Sequence, residues 1–128
     1  MGFSVLIVDD SATTRGLIRR ALQLSGLPVS EFFEAGHGKE ALLQLAQHQV
    51  DLILTDLHMP EMSGVELAEA VLANPATAGI PVAVISAEPS TSRLAEMRRA
   101  GVKGCLRKPC TPESLRNLVA PILEKCHG

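Results

Sequence analysis

The segment "SVLIVDDSATT", residues 4–14, decides the fold. Val5–Val8 is a short continuous apolar run that ends on two adjacent aspartates, Asp9 and Asp10, and is followed by residues suited to starting a helix. Apolar runs of this length without alternation suit strands of a parallel sheet covered on both faces. Two like charges side by side at the end of such a strand call for a chemical reason.

Working outward, similar runs recur at Phe32–Ala35, preceded by Glu31, at Leu52–Leu54, at Val82–Ile85 and, weakly, in "GCLR" at 104–107. Helix-period segments separate them. Leu17, Ile18, Ala21 and Leu22 line one face of the first helix; Ala41, Leu42 and Leu45 line the second. Leu67, Ala68, Val71 and Leu72 line the third, which opens on the capping-box pattern Ser63-Gly-Val-Glu66. The fourth offers chiefly Leu94 and Met97 for burial, and a helix so thinly anchored is suited to move. The fifth starts at Thr111-Pro112, an N-cap followed by proline at its favoured first position, and continues through Leu115, Leu118, Val119, Ile122 and Leu123. Pro121 is expected to kink or break it. Five βα units in one domain, residues 1–128, form an α/β fold with a doubly wound parallel sheet.

Composition narrows the function. The chain has 128 residues, with three phenylalanines and no Trp or Tyr, which disfavours base-stacking recognition of nucleic acid. Cys105, Cys110 and Cys126 form no CxxC pair, and His37, His48, His58 and His127 show no metal-ligand spacing. An odd cysteine count, no signal-peptide core and no membrane span point to a soluble cytoplasmic protein. The net charge of −2 conceals an asymmetry: residues 90–116 carry +5 and the remainder −7. A basic face on an acidic body suits a partner of negative surface, although an ordinary solvated helix face would read alike.

Polar residues gather at the carboxyl ends of the expected strands: Asp9 and Asp10 after the first, Asp56 after the third, Ser86 after the fourth and Lys108 after the fifth. In an open parallel sheet these ends share one edge, where ligands bind. Two carboxylates about 4 Å apart repel by roughly 4 kcal/mol at an effective dielectric of 20, so the cluster needs cations. Lys108 supplies one; a Mg²⁺ ion suits the remaining oxygen ligands. With Ser86 and Lys108 beside the ion, the set matches phosphoryl transfer, and Asp56 is the best nucleophile. Each residue also has a plainer reading. Asp9 and Asp10 could start and cap the first helix, Asp56 could cap a turn before Pro60, and Ser86 and Lys108 could be a strand-end hydroxyl and a surface lysine. Their joint placement favours the chemical reading.

"VLIVDDS", "DLILTDLHMPEMSG", "VAVISAE" and "LRKPCT" together resemble the signature segments of the response-regulator receiver domain, the CheY-like module of two-component signalling. The resemblance spans nearly the whole chain. It implies a flavodoxin-like, CheY-like sheet of five strands in the order 2-1-3-4-5. It also implies phosphorylation of Asp56 by a sensor histidine kinase or histidine phosphotransfer protein, and Mg²⁺ held by Asp9, Asp10, Asp56 and the backbone carbonyl of His58. Ser86 and Lys108 would contact the phosphoryl oxygens, Lys108-Pro109 would be cis, and His58 and Glu88 would tune the phosphate lifetime. One departure stands out: Cys105 occupies the usual place of an aromatic switch residue, and Cys110 replaces a common Phe. Output is then expected through the Glu88–Ser92 loop and the fourth helix.

The leading reading is a stand-alone phosphoacceptor, not an enzyme beyond its own phosphorylation and dephosphorylation. It would be a monomer or a phosphorylation-dependent dimer, docking a target protein on the face formed by residues 93–116, with no direct nucleic-acid or membrane contact. The chain has no room after the fifth helix for an output domain. One alternative is a pseudo-receiver acting as a phosphorylation-independent scaffold. Another is a haloacid-dehalogenase-like phosphatase, against which stands His58, where that family has a second Asp.

Overall fold

The computed structural model describes residues 2–87 and 91–127. Strands and helices alternate: β1 (Phe3–Val8), α1 (Ala12–Leu24), β2 (Val29–Ala35), α2 (Gly38–Gln47), β3 (Leu52–Thr55), α3 (Gly64–Ala73), β4 (Val82–Ser86), α4 (Thr91–Arg99), β5 (Val102–Arg107) and α5 (Pro112–His127). The strands pair in parallel in the order β2-β1-β3-β4-β5. The chain winds outward from β1 to β2, then reverses to β3, so β1 and β3 lie side by side where the winding changes direction, the position at which such sheets open a crevice.

Alternate residues of the central strands feed two cores. Leu6, Val8, Ile53, Val82 and Val84 pack with Ala41 of α2, with Leu67, Ala68 and Val71 of α3, and with Met97 of α4. Val5, Ile7, Leu52, Leu54, Ala83 and Ile85 pack with Ile18, Ala21 and Leu22 of α1 and with Leu115, Val119 and Ile122 of α5. All residues of β1, β3 and β4 are buried, which is why these strands read as unbroken apolar runs. The edge strands β2 and β5 are longer than their apolar runs. They carry exposed Glu31 on one edge and exposed Lys103 and Arg107 on the other, charges that discourage pairing with further strands.

Both caps expected from sequence form. Ser63 and Glu66 close a reciprocal box at α3. Thr111 Oγ1 accepts from the Ser114 amide while Ser114 Oγ accepts from the Thr111 amide. At α2, His37 caps the helix by accepting the Glu40 amide through Nδ1.

Three expectations need correction. Leu17 is 66% exposed, because it lies about 100° around the helix from Ile18, beyond the stripe that meets the sheet. Leu72 is 50% exposed for the same reason, at the margin of the Leu67–Ala68–Val71 stripe and over the Gly101 turn. Of the kink or break expected at Pro121, the break does not occur: α5 runs through it to His127. Pro121 and Asn117, whose carbonyl loses its helical donor, are both exposed. Water can therefore hydrate that carbonyl, while Leu115, Val119 and Ile122 hold the helix against the sheet. In α4, Met97 is buried as expected; the side chain of Leu94 and residues Glu88, Pro89 and Ser90 lie outside the described part of the structure.

Candidate phosphoacceptor site

Sheet-like backbone bonds continue past the strand ends and carry the polar residues to one edge. The Asp9 amide donates to Ala35, the Asp56 amide to Val8 and the Lys108 amide to Ser86, at 3.0, 2.9 and 2.9 Å. Asp9, Asp10 and Asp56 each bring a carboxylate oxygen within 4.8 Å of the others. Lys108 crosses to them from β5: its Nζ lies 2.8 Å from Asp9 Oδ2 and 3.4 Å from Asp56 Oδ2. Its peptide bond to Pro109 is cis. Ser86 is buried at the end of β4, its backbone carbonyl tied to Lys108.

Each carboxylate sits differently. Asp9 is buried; its Oδ1 accepts the Ser11 amide at 2.9 Å while its Oδ2 meets Lys108. Asp9 thus helps to start α1, as the plainer reading held, and faces the cluster at the same time; Ser11 is the N-cap proper, accepting the Thr14 amide. Asp56 is partly buried, and its Oδ1 accepts the Leu57 amide at 2.8 Å, leaving Oδ2 toward Lys108. Asp10 is exposed at the rim. His58 is exposed in the loop after Asp56, and Glu88 lies outside the described residues.

The electrostatics follow this packing. Burial raises the Asp56 pKa above the ordinary carboxylate value; Lys108 pulls it back and Asp9 pushes it up, with a raised value as the result. For Lys108 burial acts against the ammonium form, but the hydrogen bond to Asp9 and the charges of Asp56 and Asp9 outweigh it, and its pKa is raised. Three carboxylates set against one ammonium leave a formal surplus of two negative charges. That surplus and an all-oxygen donor set fit a hard divalent ion such as Mg²⁺, with Asp9, Asp10 and Asp56 as the side chains able to hold it.

The backbone around Asp56 demands small neighbours. A Cβ on Gly64 would collide with the Asp56 carbonyl, so only glycine lets α3 begin this close, with the Gly64 amide donating to Leu57 at 2.8 Å. Met62 of the same loop seats on Gly38, where a Cβ would overlap its side chain, and Lys39 reaches Glu61 at 3.7 Å. The loop that follows Asp56 is therefore docked on the start of α2. Neither glycine is marked by composition or period, although "MSG" at the start of α3 is the one local sign of a tight approach at Gly64.

Cys105 is partly buried and packs on the α2–α3–α4 side of the sheet, whereas Cys110 packs on the α1–α5 side. The two thiols therefore face different cores. The basic segment also divides. Lys108 turns into the acidic cluster, and Arg116 points to the turn after α1, its Nη1 4.0 Å from where a Gly26 Cβ would stand. Arg98, Arg99, Lys103 and Arg107 remain exposed on α4 and β5. Among the described residues, no helix is long and apolar enough to cross a membrane.

Known proteins agree with this architecture. Residues 5–120 match the model of the response regulator receiver domain. Chemotaxis protein CheY of Pseudomonas aeruginosa is 35% identical over 124 residues, covering 97% of this chain and 98% of the relative. Chemotaxis protein CheY1 of Helicobacter pylori is 35% identical over 93% of this chain and 95% of its own. The solved structure of chemotaxis protein CheY4 of Vibrio cholerae superposes with a TM-score of 0.86 at 31% identity, covering 95% of this chain and 99% of that one. A probable two-component response regulator/GGDEF domain protein superposes at 0.86 with 31% identity, over 98% of this chain but only 51% of its own length. The chain belongs to the response regulator receiver domain family. It is a CheY-like signalling domain of two-component systems rather than an enzyme of the usual kind, and receiver domains as a class bind Mg²⁺ at an acidic pocket and engage histidine kinases or phosphotransfer proteins and downstream targets.

Proposed function

We propose that this chain is a single-domain phosphoacceptor in which Asp56 takes a phosphoryl group from a phosphohistidine of a sensor kinase or phosphotransfer protein and thereby switches the binding of a target. The observation that carries this reading is Asp56 itself: a half-buried carboxylate with one oxygen tied to the Leu57 amide and the other turned toward Lys108, beside two further carboxylates. A carboxylate oxygen of Asp56 attacks phosphorus, the P–O bond forms as the P–N bond breaks, and the imidazole nitrogen leaves with the electron pair. The Lys108 ammonium, kept charged by its surroundings, and the Ser86 hydroxyl receive phosphoryl oxygens. Asp9, Asp10, Asp56 and the His58 carbonyl would hold a Mg²⁺ ion, which would supply neutralisation of phosphoryl charge. His58 and Glu88 set the phosphate lifetime.

The target docks on the basic patch of α4 and β5, Arg98, Arg99, Lys103 and Arg107, through acidic groups of its own. No aromatic side chain stands on β5 to swing with Ser86, so α4, anchored by Met97, is the moving part. The test is incubation with acetyl phosphate, with and without Mg²⁺, followed by intact mass. A Mg²⁺-dependent gain of one phosphoryl group that Asp56→Asn abolishes supports the reading. No gain from acetyl phosphate or a cognate donor, with target binding unchanged in Asp56→Asn, would favour a pseudo-receiver scaffold, the reading that Cys105 alone supports.

A further inference from the structure

Arg15 has no part in the chemistry just described, yet among the described residues it joins Lys108 in bonding directly to Asp9. Only 19% exposed, it donates from Nη1 to the backbone carbonyl of Asp9 at 2.6 Å and from Nε to Glu34 Oε1 at 3.0 Å. Glu34 belongs to the edge strand β2 and is held on its far side by Arg19, 3.5 Å away, whose guanidinium stacks over Phe32. The guanidinium of Arg15 also lies against Gly36, 3.7 Å from where a Cβ would stand. Arg15 is therefore a fixed fork between β2 and the end of β1.

What this fork holds matters because of Asp10. The Asp9 carbonyl and the Asp10 amide form one planar peptide unit. Pinning that carbonyl sets the direction in which the Asp10 Cα and carboxylate leave the strand. Asp9 needs little such help: its amide, Oδ1 and Oδ2 are bound by Ala35, Ser11 and Lys108. The Asp10 carboxylate, exposed at the rim, accepts no hydrogen bond among the described residues and is placed by its backbone alone.

We infer that Arg15 is a positioning residue that orients Asp10 for the divalent ion through the 9–10 peptide, with Glu34 aiming the fork. This inference rests on the Mg²⁺ reading of the acidic pocket. Two physical accounts of Arg15 give opposite signs. As a mere nearby cation it repels Mg²⁺, and its removal would tighten binding. As a positioning group, its removal leaves Asp10 to wander and weakens binding, by about tenfold on the scale of groups that orient metal ligands.

The experiment is calorimetric titration of Mg²⁺ into the metal-free chain, since no Trp or Tyr is present to report binding by fluorescence. Wild type is compared with Arg15→Met and Arg15→Lys, each checked for folding by circular dichroism. Arg15→Lys keeps the charge but cannot bridge the carbonyl and Glu34 in a fixed fork, so it serves also if Arg15→Met fails to fold. Weaker Mg²⁺ binding in the folded variants, with Arg15→Lys losing affinity despite its retained charge, is the expected result. Unchanged or tighter binding overturns the inference while leaving the acidic pocket standing. Absence of Mg²⁺ binding in wild type removes the pocket reading and the inference together, and is told apart by the wild-type titration alone.

Discussion

At the scale of single residues, Asp56 works against the fold that holds it. Its pKa is raised, first by burial, so the native state holds this proton more tightly than the unfolded chain does. Stability then falls as pH rises from the ordinary carboxylate range through the raised native value. Asp56→Asn removes the charge and retains an oxygen for the Leu57 amide. In metal-free buffer at pH 7 its thermal midpoint is expected to lie above that of wild type, and the difference should shrink in acid; a lower midpoint would mean that the attraction of Lys108 outweighs burial. The cysteines behave in the opposite sense to reactive thiols. Burial raises Cys105, and it raises Cys110 against the pull of Lys108, so both are protonated at neutral pH. Alkylation by iodoacetamide at pH 7.5, mapped by peptide mass, is expected to be slower at both than at a free model thiol.

At the scale of elements, the loop from Asp56 to α3 is held by close approaches at Gly64 and Gly38. Ser63→Ala breaks one half of the capping box and is expected to cost about 1 kcal/mol in denaturant unfolding, leaving phosphorylation by acetyl phosphate in place. Gly64→Ala is different in kind, because its new methyl group collides with the Asp56 carbonyl. It should slow phosphorylation far more than its loss of stability accounts for, measured as phosphoryl uptake in protein still folded by circular dichroism. α5 shows the limit of a local rule. Proline inside a helix costs about 3 kcal/mol when the helix stands alone, yet the apolar stripe from Leu115 to Ile122 keeps α5 continuous against the sheet.

At the scale of the molecule, the two cores and the acidic edge are one construction, since β1 and β3 bury both faces and end in the aspartates. Mg²⁺ binding only the native state at about a hundred times its dissociation constant would add about 2.7 kcal/mol of stability. The thermal midpoint is thus expected to rise with Mg²⁺ in wild type and to stay level in Asp9→Asn. Switching is a matter of similar magnitudes. On the phosphoacceptor proposal, charge-assisted bonds from Ser86 and Lys108 to a phosphoryl group on Asp56 would contribute about 1.5–3 kcal/mol each, whereas inverting a population from 1:99 to 99:1 needs about 5.5 kcal/mol. Both bonds at full strength would reach that figure and one would not, so on this proposal a target that prefers the phosphorylated state would complete the shift.

The sequence by itself determined the strands, the helices and the residues of the acidic edge. A strand buried on both faces has to be apolar at every position, and in a parallel sheet the residue after each strand is delivered to the same edge wherever it lies in the chain. Its motif resemblance supplied the strand order as well. Only the tertiary structure decided what depends on contacts between distant segments. Leu17 faces solvent because the sheet meets α1 one residue further on, and the basic stretch divides because Lys108 is drawn into the carboxylates while Arg116 turns toward α1. Gly38 must be bare because Met62 lands on it, and Arg15 meets Glu34 because β2 pairs with β1. None of these is a property of composition or period; each is fixed by which surfaces the folded chain brings into contact.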